Sequence, residues 1–247
     1  MRAGRVVEIS VSPLFSVLGR EDLGEPHTVL AGGERYYSPR FVGDGVVRRE
    51  LEEAGFGDER DYRELVDLVR VVQRATAEFY AWVAGADGEY AILAAAWGRR
   101  GVCLVRHGDS VRFERCAADR LAEALVSRLP DSAIGRGEPI TVSHAEFHAR
   151  QKGGLMRRPA QARPVEARRL DALLDVRRVH VAKVYAAKRD DAGDRQRSQR
   201  WVTVLDLVDG RWALTVSRAR QQDWISARPG TPAVLAEKLG ELARSIR

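Results

Sequence analysis

The feature that most constrains this chain is a pair of Asp-Gly turns, Asp87-Gly88 and Asp209-Gly210, each set between two apolar strand-like runs. An Asp-Gly dipeptide between such runs is a strong hairpin signal, because a tight turn needs a positive φ that glycine adopts without steric penalty. A two-residue turn at Asp87-Gly88 pairs Ala84 with Ala91, Trp82 with Leu93 and Tyr80 with Ala95. The alternate residues, Phe79, Ala81 and Val83 against Ile92, Ala94 and Ala96, are apolar too. A hairpin apolar on both faces belongs inside a sheet that is covered on both sides. The same construction at Asp209-Gly210 pairs Leu207 with Trp212, Leu205 with Leu214 and Thr203 with Val216. Its other face mixes Val202, Val204 and Asp206 with Ala213, Thr215 and Ser217, so one side of this hairpin is expected to be wetter.

The flanks repeat an order. Leu65, Leu68, Val69 and Val72 fall at helical spacing in 61–74, ahead of the first hairpin. Short strands at 101–106 and 111–115 follow it, then a helix over 118–129 that Pro130 stops. In the second half a helix at 165–174 leads to a strand at 178–187, the second hairpin, a short strand at 223–226 and a helix over 232–246. Thr231 caps that last helix and Pro232 occupies its first position. The expected fold class is therefore α+β: a quasi-two-fold repeat of helix, four-stranded antiparallel meander and helix around a central sheet. It is read as a single domain over 1–247, with repeats at about 60–130 and 164–246 joined by a connector at about 131–163. A strand at 6–11 and helices at 13–18 and 46–54, the latter ended by Gly55, precede the first repeat. The polar stretch 188–200 is long for a hairpin loop and is expected to project from the body or to be mobile.

The chain has 247 residues, 45% hydrophobic, enough for a sizeable core, and no apolar run approaches the roughly 18 residues of a membrane span. The opening residues lack the apolar stretch and cleavage site of a secretory signal, so a cytoplasmic protein is expected. Two cysteines, Cys103 and Cys116, are too few for a disulfide framework or a structural zinc site. The net charge is +6, and residues 150–200 carry 15 Lys/Arg against 6 Asp/Glu, more than the whole excess. Such a segment suits nucleic acid, anionic lipid or an acidic protein face. Its few aromatics and the interleaved Asp190, Asp191 and Asp194 disfavour phosphate.

Motifs for chemistry are sparse. His144 and His148 lie four apart, on one helical face, but no spacing nominates a third ligand among His27, His107, His180 or an acid. Gly135-Arg136-Gly137 lacks the third glycine and the strand-to-helix context of a dinucleotide loop. No Walker loop or Gly-x-Ser-x-Gly elbow occurs. Acid pairs such as Glu52-Glu53 fall in charged, solvated segments. The expectation is a non-enzyme with no catalytic residue, no metal and no cofactor.

Several short motifs, in order, carry a family resemblance. Ser12-Pro13-Leu14-Phe15-Ser16-Val17-Leu18 runs through Gly24-Glu25-Pro26 to Val29-Leu30. Leu51-Glu52-Glu53-Ala54-Gly55-Phe56 follows, then Gly101–Arg106 with Gly108-Asp109-Ser110-Val111, and finally Asp206-Leu207-Val208-Asp209-Gly210-Arg211-Trp212. Together they resemble the EspG family, the cytosolic chaperones associated with actinobacterial type VII (ESX) secretion. The departures are Glu25-Pro26 without an intervening residue, the spacing of Asp206 and Asp209, and the His144–His148 segment, which has no counterpart. The resemblance implies a quasi-two-fold α/β fold and recognition of a helical secreted protein, PE/PPE-like or WXG100-like, that is kept soluble before export. It suggests a partner surface on the sheet and the later helices, for which Arg195, Arg197, Val202, Val204 and Thr215 are the candidates. The alternative is a nucleic-acid-associated protein using the basic 150–200 segment. A homodimer is compatible with either.

Overall fold

The computed structural model describes residues 6–31, 44–149, 164–190, 192–219 and 221–246. Both expected hairpins form, but one residue earlier in the chain than the Asp-Gly rule places them. They close on Gly85 facing Gly88 and Leu207 facing Gly210, around Ala86-Asp87 and Val208-Asp209. Each glycine is thus the first residue of the returning strand, at φ of 109° for Gly88 and 129° for Gly210. The register shifts by two: Trp82 faces Ala91, Tyr80 faces Leu93, Leu205 faces Trp212 and Thr203 faces Leu214. A shift of one would invert every side chain, whereas a shift of two leaves each on its expected face.

In chain order the elements begin with β1 (Val7–Ser10), α1 (Val11–Arg20), α2 (Thr28–Ala31), α3 (Asp44–Glu53) and α4 (Glu59–Gln73). The first meander is β2 (Ala77–Gly85), β3 (Gly88–Trp97), β4 (Arg100–His107) and β5 (Ser110–Cys116), closed by α5 (Leu121–Val126). Next come β6 (Ile140–Ser143), α6 (His144–His148) and α7 (Val165–Asp175). The second half has β7 (Arg178–Arg189), β8 (Arg195–Arg197), β9 (Val202–Leu207), β10 (Gly210–Ala219), β11 (Gln222–Pro229) and α8 (Pro232–Arg244).

Local chemistry sets the helix ends. The Asp58 carboxylate accepts the Arg60 and Asp61 amides at the start of α4, and the Thr231 hydroxyl accepts the Val234 amide at the start of α8. After α3, Gly55 at φ 86° closes a Schellman turn in which the Phe56 amide donates to Leu51 O (2.7 Å) and the Gly55 amide to Glu52 O (3.1 Å). The motif around Gly55 is thus a helix stop.

The strands form one antiparallel sheet in the order β1-β5-β4-β3-β2-β7-β9-β10-β11-β6, with β8 added to β7. Read outward from the β2–β7 pair, both sides follow the same plan: a four-stranded meander, then an edge strand from earlier in the chain. Both edge strands run straight into a helix through a serine N-cap, Ser10 for α1 and Ser143 for α6. The segment 131–163 is therefore more than a connector. Its Ile140–Ser143 stretch supplies the second edge, and residues 150–163 lie outside the described part.

Helices cover the sheet unequally. On the back face α5 and α8 pack against each other and over Phe79, Ala81, Ile92, Ala94, Ala182, Val184, Val202 and Val204. On the front face α1, α2, α3 and α4 cover the β3–β5 side, burying Leu93, Leu104 and Phe113, and α7 covers Leu205, Leu207 and Trp212 on the other. This corrects the sequence reading of the second hairpin. The Val202, Val204 and Asp206 face is the dry one, because α8 lies on it and Asp206 is neutralised by Arg211 across the hairpin (Nε–Oδ1 2.6 Å, Nη2–Oδ2 2.8 Å). The open side is the one bearing Thr203, Leu214 and Val216. Among the described residues no helix is long and apolar enough to cross a membrane.

The two turn glycines should respond differently to alanine. A Cβ on Gly88 meets nothing within 4 Å, whereas on Gly210 it would lie 2.6 Å from Ile134 O and 2.7 Å from Gly135 N. Gly88→Ala is expected to cost about 1–3 kcal/mol from the positive φ alone. Gly210→Ala should cost distinctly more, since backbone must also move, and urea unfolding of the two variants measures the difference.

Candidate functional site

The β2–β7 register aligns one row of front-face residues across the sheet: Arg106, Ala91, Trp82, Lys183, Thr203, Leu214 and Ala227. Its outer members lie near the helices. Its middle does not, and Trp82 keeps 40% of its surface exposed, as do Trp201 (43%) and Val216 (41%) close by. Two hollows flank Lys183. One of about 550 Å³ is lined by Trp82, Ala84, Ala91, Arg106 and Val181, and one of about 370 Å³ by Phe147, Leu170, Trp201, Leu214 and Ile225. The result is an apolar strip carrying cations, between the two front helix layers.

One end of the strip is built by a buried polar clasp. Gln73, at the end of α4, donates to Leu23 O (3.1 Å) and Glu25 O (2.6 Å) and accepts the His27 amide (3.1 Å). The Gly24-Glu25-Pro26 turn is thereby pinned so that His27 Nε2 sits 3.1 Å from Glu78 Oε1. Glu78 is a buried acid in an otherwise apolar strand, and Arg195 Nε reaches the same oxygen at 2.7 Å. Burial by itself would raise the Glu78 carboxyl, but His27 and Arg195 outweigh it and hold it below the usual carboxylate range.

Rings and cations then alternate outward from the clasp. His27 meets Tyr80 edge-on at 5.7 Å, Tyr80 stacks on Tyr185 at 5.3 Å, and Tyr185 tilts against Trp201 at 6.0 Å. Arg195 lies over Tyr80 and Arg197 over Tyr185, both at 5.2 Å, and Lys183 lies over Trp201 at 5.6 Å. These contacts overturn the expectation that 188–200 projects. The segment folds back as β8 on β7, and the Arg189 guanidinium donates to Gln73 O (2.9 Å). Position 191 lies outside the described residues.

The five sequence candidates are thus sorted. Arg197 is exposed on the ring ladder, whereas Thr215 is half-buried on the back face, paired with Val202, and only its place in β10 borders the smaller hollow. Arg195 is half-buried and bound to Glu78. Val202 and Val204 are only 1% and 3% exposed beneath α8, so they are core and are unavailable to a partner. The sequence reading did not single out Trp82, Lys183 and Trp201, which line the open strip. Trp201, a tryptophan closing a run of arginines and glutamines, was the available signal.

No catalytic constellation assembles among the described residues, and no group of three metal-ligating side chains is found there. His144 and His148 stand exposed on α6, at the edge of the sheet. Burial pushes the Cys103 thiol up to about 11, and burial, with Cys103 beside it, pushes Cys116 up to about 12. The Asp206–Arg211 pair and Gly210 make the Asp-Gly-Arg-Trp turn a structural anchor, since Arg211 also donates to Pro130 O and its backbone bridges Ile134.

With this geometry in place, the comparisons are specific. The model of the EspG family matches residues 10–241, and the chain belongs to that family. A solved structure with the same fold is that of the Mycobacterium tuberculosis type VII secretion system chaperone EspG5, determined in complex with a PE25–PPE41 dimer. It superposes with a TM-score of 0.69 at 15% identity, over 98% of this chain and 97% of that one. No curated protein sequence matches.

Three outcomes test this chemistry. Arg195→Met leaves Glu78 with His27 alone and should destabilise the fold by about 3 kcal/mol, less where solvent reaches the vacancy. Because the Glu78 carboxyl is depressed in the folded chain, its contribution is complete above the ordinary carboxylate range and disappears as pH falls below it. Unfolding curves of wild type and Glu78→Gln should therefore differ near neutrality and converge in acid. Separately, both thiols should resist alkylation in the native chain at neutral pH and react once urea unfolds it, since thiolate is the reactive form.

Proposed function

We propose that this protein is a cytoplasmic, non-enzymatic chaperone that binds a helical type VII secretion substrate of the PE/PPE kind and keeps it soluble before export. Membership of the EspG family and a fold shared with EspG5 support the class of partner. The observation that carries the reading is the open front strip, where Trp82, Lys183 and Trp201 face outward between two helix layers. Exposed tryptophans beside cations, over a well-packed floor, have the composition of interface hot spots. A helical tip with apolar side chains and an acidic rim fits it. The hollows would take the apolar groups, and Lys183 and Arg197 would meet the acids.

The nucleic-acid alternative has less support. Arg189, Arg195 and Arg200 are engaged with Gln73, Glu78 and Asp223 within the chain, which leaves fewer free cations for a phosphate track.

Co-expression with a PE–PPE pair from the same organism, followed by gel filtration and calorimetry, tests the proposal. A stable complex is expected, weakened about tenfold or more by Trp201→Ala or Lys183→Glu. Val208→Ser, on an exposed valine (57%) at the far turn, should bind as wild type. Absence of a complex with such pairs, or unchanged binding by both strip variants, would sink the reading.

A further inference from the structure

We propose that His144 and His148 form a two-imidazole chelating site for a late divalent transition ion, Cu²⁺ foremost. The two residues occupy the first and last positions of α6, are both exposed, and have ring centroids 4.2 Å apart at a tilt of 45°. With each nitrogen about 2.0–2.1 Å from an ion, two imidazoles on one centre have centroids roughly 4.5–5 Å apart. The rings therefore need only side-chain rotation to close on an ion.

The helix that presents them is held in shape although it is only five residues long. Ser143 and Glu146 form a capping box: the Glu146 amide donates to Ser143 Oγ (3.1 Å), and Glu146 Oε2 accepts from the Ser143 amide (3.2 Å) and hydroxyl (2.6 Å). Ser143 itself is fixed in the sheet opposite Trp224, and Phe147 packs on the cluster of Leu170 and Leu205. Backbone and anchor are thus set from both sides, so both imidazoles stand on a preorganised turn. Phe147 also meets the His148 ring edge-on at 5.0 Å, which restricts that ring further.

The donor set defines the ligand. Glu146 is occupied by the cap, and among the described residues no third side chain completes a metal group. The remaining positions fall to water, which makes the site exchangeable rather than a structural centre. For a pair of neutral imidazoles the affinity order places Cu²⁺ above Ni²⁺ and Zn²⁺. Only neutral imidazole ligates, so acidification releases the ion.

The test uses the full-length, tag-free chain, dialysed against chelator and then titrated with CuCl₂ by calorimetry and visible absorption. One Cu²⁺ per chain is expected, with the d–d band of nitrogen ligation. His144→Gln and His148→Gln should each weaken binding by about 10–100-fold, the scale seen when a metal site loses even outer support. ZnCl₂ should bind more weakly with the same dependence on both residues. Both variants should melt at the wild-type temperature in the absence of metal, since the side chains are exposed. If either variant binds Cu²⁺ as the wild type does, the ion sits elsewhere on the chain and the proposal fails. Loss in one variant together with a lowered metal-free melting temperature would instead assign that histidine to the fold, and also overturns it.

Discussion

The pairing of β2 with β7, from Ala77 facing Lys188 to Gly85 facing His180, is the constraint on which the rest depends. It fuses two meanders into one sheet, and it decides where helices can and cannot lie. On the back, α5 packs over β2, β3 and β4 and α8 over β7 and β9, so the two meet over the seam and close it. On the front, α4 rests on β3 and β4 and α7 beside β6, each displaced away from the seam. One face is therefore covered over the seam, while the other leaves its central row open. The open strip follows from which side of each meander its flanking helices pack on, and needs no separate element to create it.

The buried clasp has a related role. His27 comes from the N-terminal turn, Glu78 from the first strand of one meander and Arg195 from the excursion in the other. Three remote segments thus converge on one carboxylate oxygen. An unpaired acid at that depth would be costly, so the cluster is satisfied only when all three segments are in place. It fixes the position of Tyr80, and through the stacked rings the positions of Tyr185 and Trp201. The exposed Trp201 is in this way held by a polar contact buried two rings away.

Most of the fold was legible because its signals are local. The helix at 59–73 announced itself by Leu65, Leu68 and Val72, and the hairpins by their glycines. Registers came out two residues off, since the glycine opens the return strand rather than completing the turn. The family motifs proved to be stops, turns and a buried ion pair, which explains why their order was more telling than any one of them. The burial of the candidate surface residues was less legible. Val202 and Val204 look like an exposed hairpin face in sequence, and only the arrival of α8, far along the chain, buries them. The 188–200 segment read as solvated on composition, because nothing local shows that Arg195 will find Glu78. A lone glutamate in the apolar run 77–85 was the clue to a distant cation. Likewise the Ser143-x-x-Glu146 box after Ile140-Thr141-Val142 marked an edge strand inside what read as a linker.

Those edge strands bear on what the molecule avoids. A sheet this wide would ordinarily expose two long rows of unpaired amides and carbonyls, a template on which another chain can polymerise. Here both margins, Val7–Ser10 and Ile140–Ser143, are four residues long and each is cut off by a helix starting at the next residue. Too little edge remains to seed a further strand. Apolar side chains can thus stay open to solvent in the middle of the sheet without the border inviting fibre-like growth.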